Sequence, residues 1–362
     1  MAADPRPVAV VTGTVSPYRR EPFRLLAERQ GAEIIAWEGA GPPVEGLAVH
    51  RTTQAGAARL VASGRFRAVV CGLGGRIALP GAYAAARRAG IPFVLWATIW
   101  SHPRTPAHAL SWPATRNLYR SADAVVTYGP HVSRYVERHR GSRGNVFVAP
   151  QAVDVAHFGA TVPDAERAAA RESAGGPGTE LLYLFAGRLE HEKGVEVLLD
   201  AWRRANLGSG ARLALAGTGS LSEAVAAAGT GVRGLGYVFR SRLPPLYAAA
   251  DALVLPSVRT ATFVEPWGLV ANEAMLQSTP VIASDAVGAA AGGLVRDGHN
   301  GLVAPSGDAA ALAVRLETLA AAPELRARMG AAAREAASEL TPSAWADGVT
   351  NALEAVSVGR EK

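Results

Sequence analysis

An arginine and a lysine share one short segment, Gly187-Arg188-Leu189-Glu190-His191-Glu192-Lys193-Gly194. Of the 37 Lys plus Arg in the chain only two are lysines, and the other is Lys362, the last residue. Arginine is a planar fork that binds two oxygens, whereas lysine is a compact point charge on a flexible stem. The segment follows an apolar, strand-like run, Leu181–Ala186, and precedes a helix-like one, Val195–Ala205. One cation of each kind at the mouth of a strand–loop–helix unit suits two different contacts to one polyanion, and a diphosphate has the right size. For an isolated pair the alternative is an exposed arginine and a lysine capping a helix.

A second segment, Glu265-Pro266-Trp267-Gly268-Leu269-Val270-Ala271-Asn272-Glu273-Ala274, follows the strand-like Ala252–Pro256 and opens a helix ending near Gln277. Gly268 allows close backbone approach to a ligand, and the free amides of Gly268, Leu269 and Val270 favour an anion. Glu265 precedes the helix and Glu273 lies in its second turn, so the two carboxylates are expected to flank one phosphate-sized site. A carboxylate that deep in a helix is poorly placed for capping and well placed to accept hydrogen bonds from sugar hydroxyls.

With both segments read, the chain resembles the retaining glycosyltransferases of the GT-B fold, specifically family 4, over essentially its whole length. Gly187–Gly194 is similar to that family's G-R-L-x-x-x-K-G segment, and Glu265–Glu273 to its E-x7-E segment. The resemblance implies Arg188 and Lys193 on the donor diphosphate, Glu273 on the ribose and Glu265 near the donor sugar. It also implies that Tyr237 and Val238 lie beside the nucleotide base and that the Gly217-Thr218-Gly219 turn borders the same pocket.

The rest of the chain must position these residues. With 362 residues and apolar content of 49%, two α/β domains are expected rather than one core. Strand-like runs at Val8–Val11, Ile34–Trp37, Val69–Cys71, Phe93–Ala97, Val125–Tyr128 and Val146–Ala149 alternate with helical stretches. The second half repeats the pattern at Leu181–Ala186, Leu213–Ala216, Gly234–Val238, Leu253–Pro256, Val281–Ser284 and Leu302–Ala304. That is the signature of parallel sheets covered on both faces. The fold expected is α/β: GT-B, two doubly wound, Rossmann-like domains facing a cleft. The domains are expected at 1–172 and 173–342, with Pro150–Gly178 as linker and 343–362 as a helix crossing back to the first domain.

Residues 1–172 carry 21 Arg against 12 acidic residues, and residues 173–362 carry 16 Lys plus Arg against 19. The basic first half suggests an anionic partner, and no aromatic-interleaved basic stretch points to nucleic acid. An anionic membrane surface or a lipid-linked acceptor fits better, and an excess of exposed arginine with no partner is the alternative. The start, with Pro7 leading into a strand, does not read as a signal peptide, and the longest apolar stretch, Ile91–Trp100, is too short to span a bilayer. The expectation is a cytoplasmic protein, peripheral at the inner face of the membrane. Cys71, the single cysteine, is expected to be buried.

In the first half, Gly13 to Arg20 follows the first strand. The resemblance implies that Gly13 touches the donor phosphate and that Tyr18 and Arg19 line the acceptor side; a rigid proline turn with a packed Tyr18 is the alternative. The resemblance implies a histidine after Phe93–Ala97 next to the donor sugar's reacting carbon, and His102 is the choice, with His108 and His131 as rivals. No Asp-x-Asp and no His/Cys/Asp group at metal spacing occurs, so no metal and no other cofactor is expected. The reading is a retaining, metal-independent transferase moving a hexose from a nucleoside-diphosphate sugar to a hydroxyl acceptor in glycoconjugate or polysaccharide biosynthesis. A same-fold nucleotide-sugar 2-epimerase and a non-catalytic nucleotide-sugar-binding protein are the rival readings.

Overall fold

The computed structural model describes residues 4–39 and 41–358, so Lys362 lies outside the described residues. Among these, two separate parallel sheets form. The first contains β1 (Val8–Thr14), β2 (Ala32–Gly39), β3 (Val49–Arg51), β4 (Ala68–Gly72), β5 (Phe93–Ala97), β6 (Ala124–Thr127) and β7 (Val146–Val148), in the order β3-β2-β1-β4-β5-β6-β7. The second contains β8 (Leu181–Ala186), β9 (Ala211–Ala216), β10 (Val232–Gly236), β11 (Ala252–Leu255), β12 (Val281–Ser284) and β13 (Gly301–Ala304), in the order β10-β9-β8-β11-β12-β13. Central strands such as β5, β8 and β11 are buried along their whole length, which is why they read as continuous apolar runs rather than alternating ones.

Both sheets are doubly wound. The strand order reverses between β1 and β4 in the first and between β8 and β11 in the second. Ligands of such sheets bind outside the carboxyl ends of the strands at this switch point. The loop after β8 carries Arg188 and Lys193, and the loop after β11 carries Ser257 to Glu265. The two sequence segments therefore flank the switch point of one sheet.

The chain divides into unit 1, Met1–Ala152 with Thr341–Lys362, and unit 2, Val153–Leu340. The boundary falls after Ala152 and not after residue 172, and Pro150–Gly178 is not an unstructured linker. It contains the helices Val155–Phe158 and Asp164–Gly175. Arg171 of the second helix ties it to unit 2 through Asp251, at 2.8 Å, and the carbonyl of Ala249. With these boundaries the charge asymmetry sharpens: unit 1 carries 21 Lys plus Arg against 11 acidic residues, and unit 2 carries 16 against 20.

The last helix, Pro342–Val358, belongs to unit 1. Its Trp345 is fully buried against the rings of Phe23 and Trp96, each 5.5 Å away, and its Asp347 pairs with Arg29 at 2.7 Å. β3 (Val-His-Arg) carries no apolar run and was not legible as a strand. The strand expected at Gly234–Val238 lies earlier, at Val232–Gly236, because Gly236 takes a left-handed φ of 64° and ends it.

Candidate functional site

Lys193 is placed by its neighbour. Gly194 has φ of 73°, and a Cβ there would stand 2.0 Å from the carbonyl oxygen of Pro256. Only glycine lets the lysine loop lie against the exit of β11. The backbone amide of Val258 then donates to the carbonyl of Glu192 at 3.0 Å. A second close approach joins the neighbouring loops, since a Cβ on Gly217 would meet the carbonyl oxygen of Gly187 at 1.8 Å. Gly219 packs on Leu189 in the same way, and the amide of Leu189 donates to Thr218. Gly217 and Gly219 thus brace the Arg188 loop from behind.

These loops enclose a cavity of about 180 Å³ lined by Gly187, Arg188, Lys193, Ser257, Glu265, Gly268, Leu269, Val270 and a few apolar side chains. Inside it the Lys193 ammonium forms an ion pair with Glu265 Oε2, to which Ser257 Oγ donates at 3.1 Å. The Lys193 ammonium also lies 5.2 Å from the Phe263 ring centroid. Both partners are largely buried, and removing one would strand the other's charge. Arg188 is more exposed and pairs with Glu192 at 2.8 Å. The helix Leu269–Leu276 begins at the cavity wall with Gly268 as its N-cap. The amides of Leu269 and Val270 have no intrahelical acceptor, whereas that of Ala271 donates to the Gly268 carbonyl at 2.9 Å; the buried Trp267 Nε1, donating to Asn272 Oδ1 at 2.7 Å, holds that turn in place.

Two cations, each ion-paired to its own glutamate, a serine hydroxyl and a helix start on one small cavity suit an anion. Six expected residues line it: Arg188, Lys193, Glu265, Gly268, Leu269 and Val270. Glu273 does not. It sits one helical turn below Leu269, and its carboxylate accepts a 2.7 Å hydrogen bond from Tyr247 of the Leu243–Ala249 helix. The two glutamates therefore do not flank a single site. Burial pushes the Glu273 carboxyl up to about 7, although the Tyr247 hydrogen bond and Arg240 act against it. Tyr237 and Val238 line a separate cavity of about 590 Å³ with Arg233, Phe239, Arg242 and the Asp164–Gly175 helix, and Tyr237 is 70% exposed.

Unit 1 corrects the placement of two residues. Gly13 lies within β1, at a register irregularity, and not in an open loop. A Cβ on it would stand 3.0 Å from Glu38 Oε2, so a carboxylate lies on that side of it. Arg19 is buried, 3% exposed, and cannot line an acceptor surface. Its guanidinium lies 4.5–5.5 Å from the ring centroids of Trp96, Tyr18, Tyr128 and Trp345, and it donates to Gln151 Oε1 at 2.7 Å and to Tyr128 Oη at 3.0 Å. It is a cation–π clamp between the first helix and the last, with Tyr18 half-buried beside it.

His102 lies in the loop after β5, with its side chain packed. Its ring packs 4.6 Å from Trp112, and its Nε2 is 3.0 Å from the carbonyl oxygen of His108, so Nε2–H donates. His108 is in the first turn of the helix Pro106–Ser121, its Nδ1 2.7 Å from Thr105 Oγ1, and His131 is buried with its ring against Trp100. Ser257 and Tyr247 were missed. Ser257 directly follows the strand-like Ala252–Pro256, which was a usable signal, whereas no local pattern ties Tyr247 to Glu273. Cys71 is buried, which pushes its thiol up to about 12.

Residues 166–336 match the family described as Glycosyl transferases group 1. That match falls within unit 2, and the two Rossmann-like units are the GT-B fold. The chain is 34% identical over 275 residues to a D-inositol 3-phosphate glycosyltransferase of Streptomyces avermitilis, a match covering 69% of this chain and 56% of that protein. The chain thus spans little more than half the length of that curated relative. Among solved structures, Anabaena HepE in complex with UDP superposes with a TM-score of 0.79 at 20% identity, covering 96% of this chain and 99% of that one. A sucrose-phosphate synthase of Thermosynechococcus elongatus gives 0.76 at 20% identity, with 98% and 100% covered. Among the described residues no helix is long and apolar enough to cross a membrane, and no group of three or more His, Cys, Asp or Glu could hold a metal ion.

Proposed function

We propose that the protein is a retaining glycosyltransferase that takes a hexose from a nucleoside-diphosphate sugar and gives it to a hydroxyl acceptor without a metal. The observation that carries this reading is the Lys193–Glu265 cavity at the switch point of the second sheet, with Arg188 and the Leu269–Leu276 helix start on its rim. The bond between the anomeric carbon and the β-phosphate oxygen breaks, and negative charge collects on the diphosphate. Lys193, Arg188 and the first-turn amides are fixed in advance where that charge develops, the arrangement that most lowers such a barrier. Glu265 holds the Lys193 ammonium against Ser257 until the phosphate shares it. The acceptor oxygen bonds to the same face of the anomeric carbon, and its proton passes to the departing phosphate.

Glu273 is assigned to the ribose, and Tyr237 with Val238 to the base, on the family resemblance. His102 is assigned to the donor sugar in the same way. The relative named above acts on a phosphate-bearing inositol and the Anabaena structure holds UDP, so UDP-sugars come first in a donor screen. The excess of cations in unit 1 supports a role for it in meeting an anionic acceptor or membrane surface. The test is incubation with UDP-glucose, UDP-N-acetylglucosamine and GDP-mannose, followed by mass spectrometry. Transfer to an added alcohol or slow hydrolysis is expected for one of them, and an epimerised sugar with neither would replace the transferase reading.

A further inference from the structure

A larger cavity, about 710 Å³, lies wholly within unit 1 and takes no part in the diphosphate site. It begins at Trp100, just past β5, and runs between the helices Pro106–Ser121 and Pro130–Arg140 to His139 in the last turn of the second. Its floor is aromatic. The Trp112 ring packs between His102 at 4.6 Å and His139 at 4.7 Å, and Tyr135 meets His139 at 4.5 Å.

Its rim is cationic and uncompensated. Arg104 and Arg138 line the cavity, and Arg116 is close enough to act on His139. None of these three has a carboxylate partner among the described residues, whereas Arg24, Arg29, Arg65 and Arg87 of the same unit are all paired. The loop from Thr98 to Thr105 and the helix Pro106–Ser121 contain no acidic residue. Glu137, the only acid on the Pro130–Arg140 helix, is engaged by Arg143 at 3.8 Å. His139 is held below its ordinary value, first by burial and then by Arg138, Arg116 and His102, which marks the same concentration of positive charge.

Two polar groups on lining residues are unsatisfied. Tyr135 is 8% exposed, and its hydroxyl is buried without a hydrogen-bond partner; His102 Nδ1 is likewise buried and unpartnered. A buried hydroxyl without an acceptor is costly. Forks with no carboxylate, beside an unanswered O–H donor, match the oxygens of a phosphate, and the ring-lined floor matches a sugar face or an alkyl chain lying on Trp112.

We propose that this cavity is a binding site for a phosphomonoester or phosphodiester group, the anionic end of the acceptor, with Arg104, Arg138 and the Tyr135 hydroxyl as its contacts. The assignment rests on the transferase reading and adds to it the substrate class: a hydroxyl compound that carries phosphate. His102 forms one wall, so an acceptor held by its phosphate has its other end beside the histidine assigned to the donor sugar. The phosphate can belong to a soluble sugar phosphate or to a lipid headgroup, and an exposed apolar side chain next to the lining residue Ala109 favours the second. Leu110, on the Pro106–Ser121 helix, is 86% exposed.

The test uses the full chain without donor. Calorimetry measures binding of glycerol 3-phosphate, and co-sedimentation measures binding to phosphatidylcholine vesicles with and without phosphatidylglycerol. Arg104→Ala with Arg138→Ala should weaken whichever probe binds by about tenfold or more, as expected for losing charged hydrogen bonds. Arg76→Ala with Arg88→Ala, which removes the same charge from elsewhere in unit 1, should leave it nearly unchanged. Tyr135→Phe removes an unpaired hydroxyl without creating a cavity and should weaken binding a few-fold, which keeps the question open to an answer if the arginine variant fails to fold. Leu110→Ser should reduce vesicle binding alone if the source is a lipid, and change nothing if it is soluble. Absence of binding by both probes overturns the site. So does equal loss in the two arginine pairs, or undiminished binding by Tyr135→Phe and the cavity pair together. UDP-sugar turnover is scored separately: its absence with phosphate binding intact would remove the transferase reading and leave the site standing.

Discussion

The cations of the two cavities are held in opposite ways. In unit 2 the ligand-facing cations are already paired, Lys193 with Glu265 and Arg188 with Glu192. In unit 1 the arginines around the Trp112 cavity have no carboxylate, and the unit as a whole is strongly cationic. Pairing a partly buried cation costs desolvation and returns geometry. Unit 2 therefore keeps its charge fixed at one point, which suits a transition state. Unpaired arginines return attraction over a longer range that salt screens, which suits capture of a charged ligand. Precision and reach are separate properties, and this chain gives them to separate units.

Breaking the paired site should have the largest effect. Lys193→Ala should lower transfer by about 10²-fold or more, the cost of removing one preorganised charge contact, and Arg188→Ala by less, because its side chain is 61% exposed. Steady-state kinetics with the donor found in the screen measures both. Equal, mild losses would mean that the fixed cation is not what stabilises the leaving group.

His102→Ala should lower transfer by about tenfold, the scale of one good hydrogen bond, and leave nucleoside diphosphate binding unchanged. His108→Ala and His131→Ala should cost less. The reverse order would keep the fold and move the histidine assignment.

Glu273 gives a smaller, pH-dependent effect. Its folded carboxyl titrates near 7 against an ordinary 4.5. Between these values the folded chain holds a proton that the unfolded chain has released. Stability contributed by this group is therefore full below about 4.5, falls as pH rises through about 7, and is flat above. Glu273→Gln should raise the melting temperature more at pH 8 than at pH 5. If the ionised carboxylate accepts from a ribose, UDP affinity should rise as pH passes about 7 in the wild type, and this rise should be smaller in Glu273→Gln. A parallel rise in both proteins would trace to the phosphate, whose second ionisation lies near 6.

The smallest effect is expected from a chelator. Transfer should stay within about twofold in EDTA, since the fixed cations take the place of a bridging metal in balancing diphosphate charge. Full loss restored by magnesium would reverse the cofactor assignment.

Much of the architecture was legible because parallel strands buried on both faces announce themselves as apolar runs. β3 was hidden because three residues at a sheet edge need no such run, and the helices of Pro150–Gly178 because prolines and glycines there read as a linker. The Arg188–Lys193 and Glu265–Glu273 segments were found by local spacing. Arg19 and Gly13 were misplaced for one reason: both sit near a strand's carboxyl end, and local sequence does not reveal that four rings close over one and a carboxylate faces the other.

By itself, then, the sequence determined the strand–loop–helix units, the loops that carry the cations and the glycine before which Lys193 stands, since each depends on neighbours along the chain. Only the tertiary structure decided who meets whom. Lys193 and Glu265 are 72 residues apart, Tyr247 and Glu273 are 26 apart, and Arg19 and Gln151 are 132 apart. Which glutamate faces the lysine and which is buried under a tyrosine follows from the order of β8 and β11 and the face of one short helix. Such contacts are set by packing across the sheet, and no local pattern encodes them.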